Sequence, residues 1–292
     1  MLFESANVRV AFEFGTATLW LGFRGSPVNA LDAAGLRELD AALAAIEQNI
    51  FANIVVIRSG KPAGFCAGIH PEALASLATA ADRAAFSWLG QSVFARLGSL
   101  RATTVAYLDG PCLGAGLELA LACDYRLCCT TIATHLGFPD RVPTGFGGGP
   151  RLCELLGRRL ARTVLDSGRT FSGREARKLG FVDRAFCERR AKIELRTFLD
   201  ELECGAASPR CGRELAGLAD ERRAFAQNHF RLRDTVEHRE AIHVESPSGI
   251  ARALARGFLT PLEAEQARSI IENGIGEREA SGTIPALELV AA

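Results

Sequence analysis

The stretch Val105-Ala-Tyr-Leu-Asp-Gly-Pro-Cys-Leu-Gly-Ala-Gly-Leu-Glu-Leu-Ala-Leu-Ala-Cys-Asp124 constrains the fold most, because it changes structural character twice within a few residues. Its apolar run Val105 to Leu108 predicts a buried strand, Asp109-Gly110-Pro111 a break, and Gly114-Ala115-Gly116 the small-residue entrance to a helix that carries Glu118. A helix start leaves backbone N–H groups unpaired with the macrodipole behind them, which stabilises negative charge, and glycines let a ligand approach the backbone. Glu118 lies one turn beyond Ala115, so an amide and a carboxylate can address one ligand from one helix face. The segment therefore predicts a strand that delivers a chemical centre.

Nearly half of the 292 residues are hydrophobic, enough for a sizeable core in one large domain or a domain with an appendage. Thirty-four basic residues balance 34 acidic ones, which argues against nucleic acid as a partner. The nine cysteines (66, 112, 123, 128, 129, 153, 187, 204 and 211) form no CxxC pair and have no histidine at zinc-ligand spacing, so they read as buried thiols in a reducing compartment. His135, His229, His238 and His243 are likewise too scattered for a metal site. The N-terminal Met-Leu-Phe-Glu-Ser-Ala-Asn lacks a basic region before an apolar core, and no apolar run has the length to cross a bilayer. A soluble cytoplasmic protein without a membrane partner is the expectation.

Along the chain, Val8 to Phe14 and Thr16 to Phe23 alternate as two strands joined at Gly15. Asp32 is placed to cap a helix bearing Leu36, Leu39, Leu43 and Ile46, and Ile54 to Ile57 is a short buried strand. Gly64-Phe-Cys-Ala-Gly-Ile-His70 is a second small-residue turn, with Pro71 at a helix N1 position and helical character to about Leu97. Further on come β-like segments at Tyr125 to Cys129 and Leu136 to Phe138, a glycine-rich turn at 145–150 and a helical pattern from Arg151 to Leu165. Ser172 and Glu175 form a capping box for a helix ending at Gly180, before a strand from Phe181 to Phe186. Past Arg189 the chain is charged and helical, with a boundary predicted near 203–212. The alternation of strand, turn and helix is compatible with a doubly wound sheet as well as with other α/β architectures.

Four segments, in order, resemble the crotonase (enoyl-CoA hydratase/isomerase) superfamily, and within it the hydratase portion of multifunctional fatty-acid oxidation proteins. They are Pro27-Val-Asn-Ala-Leu31, Gly64-Phe-Cys-Ala-Gly-Ile69, the run from Asp109 to Asp124, and Leu136-Gly-Phe-Pro-Asp-Arg-Val-Pro-Thr-Gly-Phe-Gly-Gly-Gly-Pro-Arg-Leu152. The segment Arg174 to Asp183 adds a fifth, and the likeness covers roughly the first two-thirds of the chain. It implies an α/β fold of repeated ββα units coiled into a superhelix, with an acyl-CoA site in residues 1–205. Residues 206–292 would be a helical packing and oligomerisation region that builds a homotrimer or a dimer of trimers.

The implied activity is reversible hydration of a 2-enoyl-CoA thioester to a 3-hydroxyacyl-CoA, with coenzyme A as part of the substrate and no separate cofactor or metal. Two backbone N–H groups would hold the thioester oxygen, and the resemblance maps them to Ile69 and Ala115. Each such donor is worth on the order of 3 kcal/mol of barrier. It also maps the hydratase carboxylates to Glu118, which orients and deprotonates water, and Asp140, which supplies the α-proton where the family usually has Glu after Pro. Shortening the acid by one methylene matters where misplacement of roughly 1 Å does, so an isomerase using Glu118 alone, and a catalytically silent acyl-CoA or partner-binding subunit, stand as alternatives. Ala67, Gly68 and Gly114 would line the substrate. His70 takes the place of a common Asp and either contacts the thioester or caps the helix at Pro71. Glu72 stands where some relatives have a CoA-binding lysine, and Arg24 is a cationic substitute or a solvated loop residue. Phe65, Phe86, Trp88 and Phe94 either line an acyl pocket or belong to the core. No GxGxxG follows a strand, and the chain reads as a hydratase module without a dehydrogenase half.

Overall fold

A computed structural model describes residues 1–139 and 145–205. Asp140 and the region 206–292 assigned to packing and assembly lie outside the described residues. The chain opens with β1 (Phe3–Glu4), β2 (Val8–Glu13) and β3 (Thr16–Leu21), an antiparallel meander. Its second turn passes through Phe14 and Gly15, both at positive φ, the geometry that matches a two-residue hairpin to the twist of its strands. Next, α1 (Ala33–Gln48) starts at Asp32, whose carboxylate accepts the Gly35 N–H at 2.6 Å, and buries Leu36, Leu39, Leu43 and Ile46. The strand β4 (Ile54–Ser59) follows, then α2 (Pro71–Ser76) and α3 (Ala80–Ser99).

The opening motif becomes β5 (Thr103–Leu108), β6 (Cys112–Leu113) and α4 (Ala115–Leu121). After it come β7 (Tyr125–Thr130), β8 (His135–Gly137), α5 (Gly148–Leu156), α6 (Arg158–Ser167), β9 (Thr170–Ser172), α7 (Gly173–Leu179), β10 (Arg184–Cys187) and α8 (Ala191–Glu203). The large sheet has the order β1-β2-β3-β4-β5-β7-β10 and is parallel from β3 onward, whereas β6, β8 and β9 form a small second sheet. Two isolated parallel bridges, Leu31 with Ile69 and Cys66 with Cys112, continue that small sheet backwards. From β3 to β4, β5 and β7 each pass of the chain adds one strand to the large sheet, one or two bridging positions or a short strand to the small one, and one or two helices; the pass from β7 to β10 adds β8, β9 and three helices. That α/β winding runs through two sheets rather than one, and it replaces the doubly wound alternative.

Four boundaries differ from the sequence-based expectation. The helical region from 71 is broken at 77–79, where Thr79 and Asp82 form a fresh capping box. The glycine-rich turn is shorter than expected because α5 already begins at Gly148, and the Arg151 to Leu165 pattern divides at Gly157, whose φ is +76°. The last strand begins at Arg184 rather than Phe181, because the Gly180 and Phe181 N–H groups close α7 on the Ala176 carbonyl.

Apolar packing divides between the two faces of the large sheet. The main cluster joins Leu19, Leu21 and Ile57 to Leu36, Leu39, Phe94 and Leu117, and a second joins Val56, Val105, Tyr107 and Leu127 to Phe198 of α8. A buried ion pair fastens the last strands: the Arg126 Nη2 lies 3.1 Å from Asp183 Oδ2, while Nη1 donates to the carbonyl of Cys123 at the end of α4. Five described cysteines (66, 112, 123, 128 and 129) are buried, whereas Cys187 and Cys204 are exposed, so the expectation of buried thiols holds only in part. Among the described residues no helix is long and apolar enough to cross a membrane.

Candidate active site

The motif segments, far apart in sequence, are stitched together by backbone hydrogen bonds. Ala67 N–H donates to the Asn29 carbonyl (2.8 Å), Leu31 N–H to Gly68 (2.8 Å), and His70 N–H to Leu31 (2.8 Å). Cys66 N–H donates to the Pro111 carbonyl and Leu113 N–H returns to the Cys66 carbonyl, each at 3.0 Å, while Gly114 N–H reaches the Gly137 carbonyl at 2.9 Å. The buried Asn29 side chain locks this seam: its Oδ1 accepts the Phe23 N–H, and its Nδ2 donates to Ser59 Oγ at 2.9 Å and the Phe65 carbonyl at 3.0 Å.

At the centre, the turn bearing Ile69 abuts the start of α4. A Cβ added at Gly68 would lie 3.8 Å from the Ala115 amide nitrogen and 3.3 Å from the Leu113 carbonyl oxygen. Gly68 and Gly114 both sit at positive φ, +113° and +49°, which a side chain would strain. The Leu31 bridge uses the Gly68 carbonyl and the His70 N–H, so the Ile69 N–H is not part of it. Ala115 is the first residue of α4, where an N–H has no partner within the helix. Ala67 is exposed and Ile69 half-buried, whereas Ala115 is buried, so the turn runs from the surface inward.

One turn into α4, Glu118 is fully buried. Its Oε2 accepts the Gly148 N–H at 2.7 Å, which aims the N-terminus of α5 at the carboxylate. No side chain is tolerated at the contact, because a Cβ at Gly148 would lie 2.3 Å from Glu118 Cγ. Arg151, buried on the same helix, is pushed below the usual guanidinium range by burial, opposed by the charges of Glu118 and Glu154. The buried carboxylate thus accepts from the first amide of α5, whose buried Arg151 lies within its electrostatic reach.

Comparison with known proteins bears on the sequence and on the winding of the chain. The family model described as enoyl-CoA hydratase/isomerase matches residues 21–209. The chain belongs to the enoyl-CoA hydratase/isomerase family. It is 38% identical over 171 residues to the fatty acid oxidation complex subunit alpha of Aliivibrio fischeri, covering 57% of this chain and 25% of that protein. It is 36% identical over 195 residues to the corresponding subunit of Shewanella loihica, covering 66% of this chain and 27% of that one. The chain thus spans about a quarter of the length of the curated relatives it matches. Among solved structures, an enoyl-CoA hydratase from Bacillus anthracis superposes with a TM-score of 0.64 at 21% identity, covering 97% of this chain and all of that one. An enoyl-CoA hydratase/carnithine racemase from Magnetospirillum magneticum gives 0.64 at 23%, covering 82% and 85%. At these identities the likeness shows the fold.

In this member of the enoyl-CoA hydratase/isomerase family, Ile69, Ala115, Glu118, Ala67, Gly68 and Gly114 come together around one seam. Asp140 lies outside the described residues, just after Pro139. His70 is the N-cap of α2, its Nδ1 accepting the Glu72 N–H at 3.3 Å. Arg24 is exposed, with Nε donating to the Ala6 carbonyl at 3.0 Å. Phe65, Phe86 and Phe94 belong to the core, while Trp88 is half exposed. Sequence reasoning left Gly148 and Arg151 without roles. Arg151, charged within a short segment of small and apolar residues, was the signal available for them.

Proposed function

We propose that the protein catalyses reversible hydration of a 2-enoyl-CoA thioester to a 3-hydroxyacyl-CoA. The observation that carries this reading is the junction of the Gly68-Ile69 turn with the start of α4, one helical turn from a fully buried glutamate held by a backbone N–H. In the proposed site the Ile69 and Ala115 N–H groups hold the thioester oxygen, with Ala67, Gly68 and Gly114 forming the adjoining surface. Glu118 takes a proton from water as its oxygen bonds to C3. The C2–C3 π electrons move toward the carbonyl, and the enolate oxygen is stabilised by the two amides. Asp140 then delivers a proton to C2, and protons and electrons balance without a redox partner. Arg24 and His70 are assigned to the CoA-facing rim, with the cap at α2 fixing where His70 stands.

Residues 1–205 would carry this site and 206–292 the contacts of a trimer or dimer of trimers. Incubation of pure protein with crotonyl-CoA and, separately, with a 3-enoyl-CoA tests the assignment. Loss of the conjugated thioester with formation of the 3-hydroxy product is expected, and Glu118→Gln and Asp140→Asn should each abolish most turnover while thioester binding persists. Consumption of the 3-enoyl-CoA alone would replace hydratase by isomerase, for which Glu118 suffices. Consumption of neither would leave a thioester-binding subunit.

A further inference from the structure

The proposed chemistry depends on where the Gly148 N–H meets Glu118, and the contacts that place this amide come from α3. We infer that Ser87, Gly90 and Gln91 of α3 are positioning residues for Glu118, clamping the turn that leads into α5; the inference rests on Glu118 being the water-handling carboxylate.

The carbonyl of Gly145 accepts two side-chain donors from α3, Ser87 Oγ at 2.9 Å and Gln91 Nε2 at 2.6 Å, and Gln91 Nε2 also lies 3.2 Å from Ser87 Oγ. Ser87 is 6% exposed, on a helix face that otherwise buries Phe86, Gly90, Val93, Phe94 and Leu97. A polar group in such a place costs stability unless it is bonded, and an apolar residue would pack there without that requirement. Next in the chain, the Phe146 ring is fully buried and stands edge-on to Phe86 and Phe94, with centroids 5.4 Å away in both pairs. It fills the notch left by Gly90, where a Cβ would lie 2.4 Å from the ring. From the far side, Arg151 Nη1 donates to the Phe146 carbonyl at 3.0 Å. Both carbonyls and the ring are therefore fixed, and only Gly147 separates them from the amide that binds Glu118 at 2.7 Å. Close packing passes a displacement of this turn on to the carboxylate rather than absorbing it.

The test uses Ser87→Ala/Gln91→Met and Gly90→Ala in the full chain, with two readouts. The first is the hydration rate on crotonyl-CoA: kcat should fall about tenfold or more while KM for the thioester stays within about twofold, as expected when a group is misplaced without loss of substrate binding. The second is the proton shift of the Gly148 amide by NMR, which should move from its wild-type position toward the one it takes in Glu118→Gln. Gly90→Ala raises helix propensity, so its effect is not one of a weakened helix, and it supplies the same comparison if the double variant does not fold. An unmoved Gly148 amide with unchanged kcat, even alongside a lower melting temperature, would overturn the inference and leave these residues as packing. If wild-type protein converts neither thioester, the proposed function fails, and the amide comparison still decides whether α3 sets the Glu118 contact.

Discussion

A carboxylate with no exposed surface is costly to keep unless the protein replaces the water it has lost. Around Glu118 that replacement is the Gly148 N–H at the start of a nine-residue helix and the charge of Arg151. Gly148→Ala is accordingly expected to lower kcat by about 10²-fold, because its Cβ would overlap Glu118 Cγ. Steady-state kinetics on the proposed substrate would check this, with circular dichroism confirming that α5 still forms. Asp109 gives a second residue-scale expectation. Burial pushes its carboxyl up to about 6, against the attraction of Arg58, and its buried Oδ1 has no hydrogen-bond partner among the described residues. Between about pH 4 and 6 the native state holds a proton that the unfolded chain has released, so stability falls as pH rises through that window and stays low above it. Asp109→Asn should remove that slope and raise stability at pH 7 by about 2 kcal/mol, measured by urea unfolding at pH 4.5 and 7; parallel curves for the two proteins would refute it. The place of Glu118 one turn into a helix was legible in the sequence because its motif is contiguous. Gly148 was not, because its role is a contact across thirty residues that no spacing encodes.

At the scale of elements, the site is a set of seams, and one of them is held by a single side chain. Asn29 accepts the Phe23 N–H and donates to Ser59 Oγ and the Phe65 carbonyl, joining the chain before α1 to the turn that ends in Ile69. Asn29→Ala leaves a buried N–H and a buried carbonyl without that partner, at about 1–3 kcal/mol each before relaxation. A loss of roughly 3 kcal/mol, read as a lower urea midpoint with an unchanged m-value, is expected; less than about 1 kcal/mol would mean that the seam does not depend on it. Caps and strands of this kind were legible where their signal is local, as with Asp32 at α1 and the Ser172–Glu175 box at α7. The second sheet was legible only at β8, in the β-like run from Leu136 to Phe138. Half of its continuity lies in single bridging pairs, Leu31 with Ile69 and Cys66 with Cys112, which have no periodicity to read. The break at Gly157 was hidden for a related reason, since apolar residues keep helical spacing across a glycine that ends one helix and begins the next.

For the whole molecule, the family match extends over residues 21–209, and α8 already covers one face of the large sheet with Phe198 and Leu195. The groups assigned to the reaction, Ile69, Ala115, Glu118 and Asp140, all fall within residues 1–205, and the proposed chemistry names none from a neighbouring copy. The proposed assembly, by contrast, is assigned to residues beyond 205. These two assignments separate in solution. Light scattering of the full chain is expected to give three or six times its 31.3 kDa mass, and a mass equal to one chain would remove the assembly. Dilution until that mass falls should leave turnover per chain unchanged over the time needed for the assay, because no described site group is lost with the partner. Turnover that declined in step with mass would instead mean that a residue from a second copy completes the site, and the division between a self-contained catalytic core and an assembling C-terminal region would have to be redrawn.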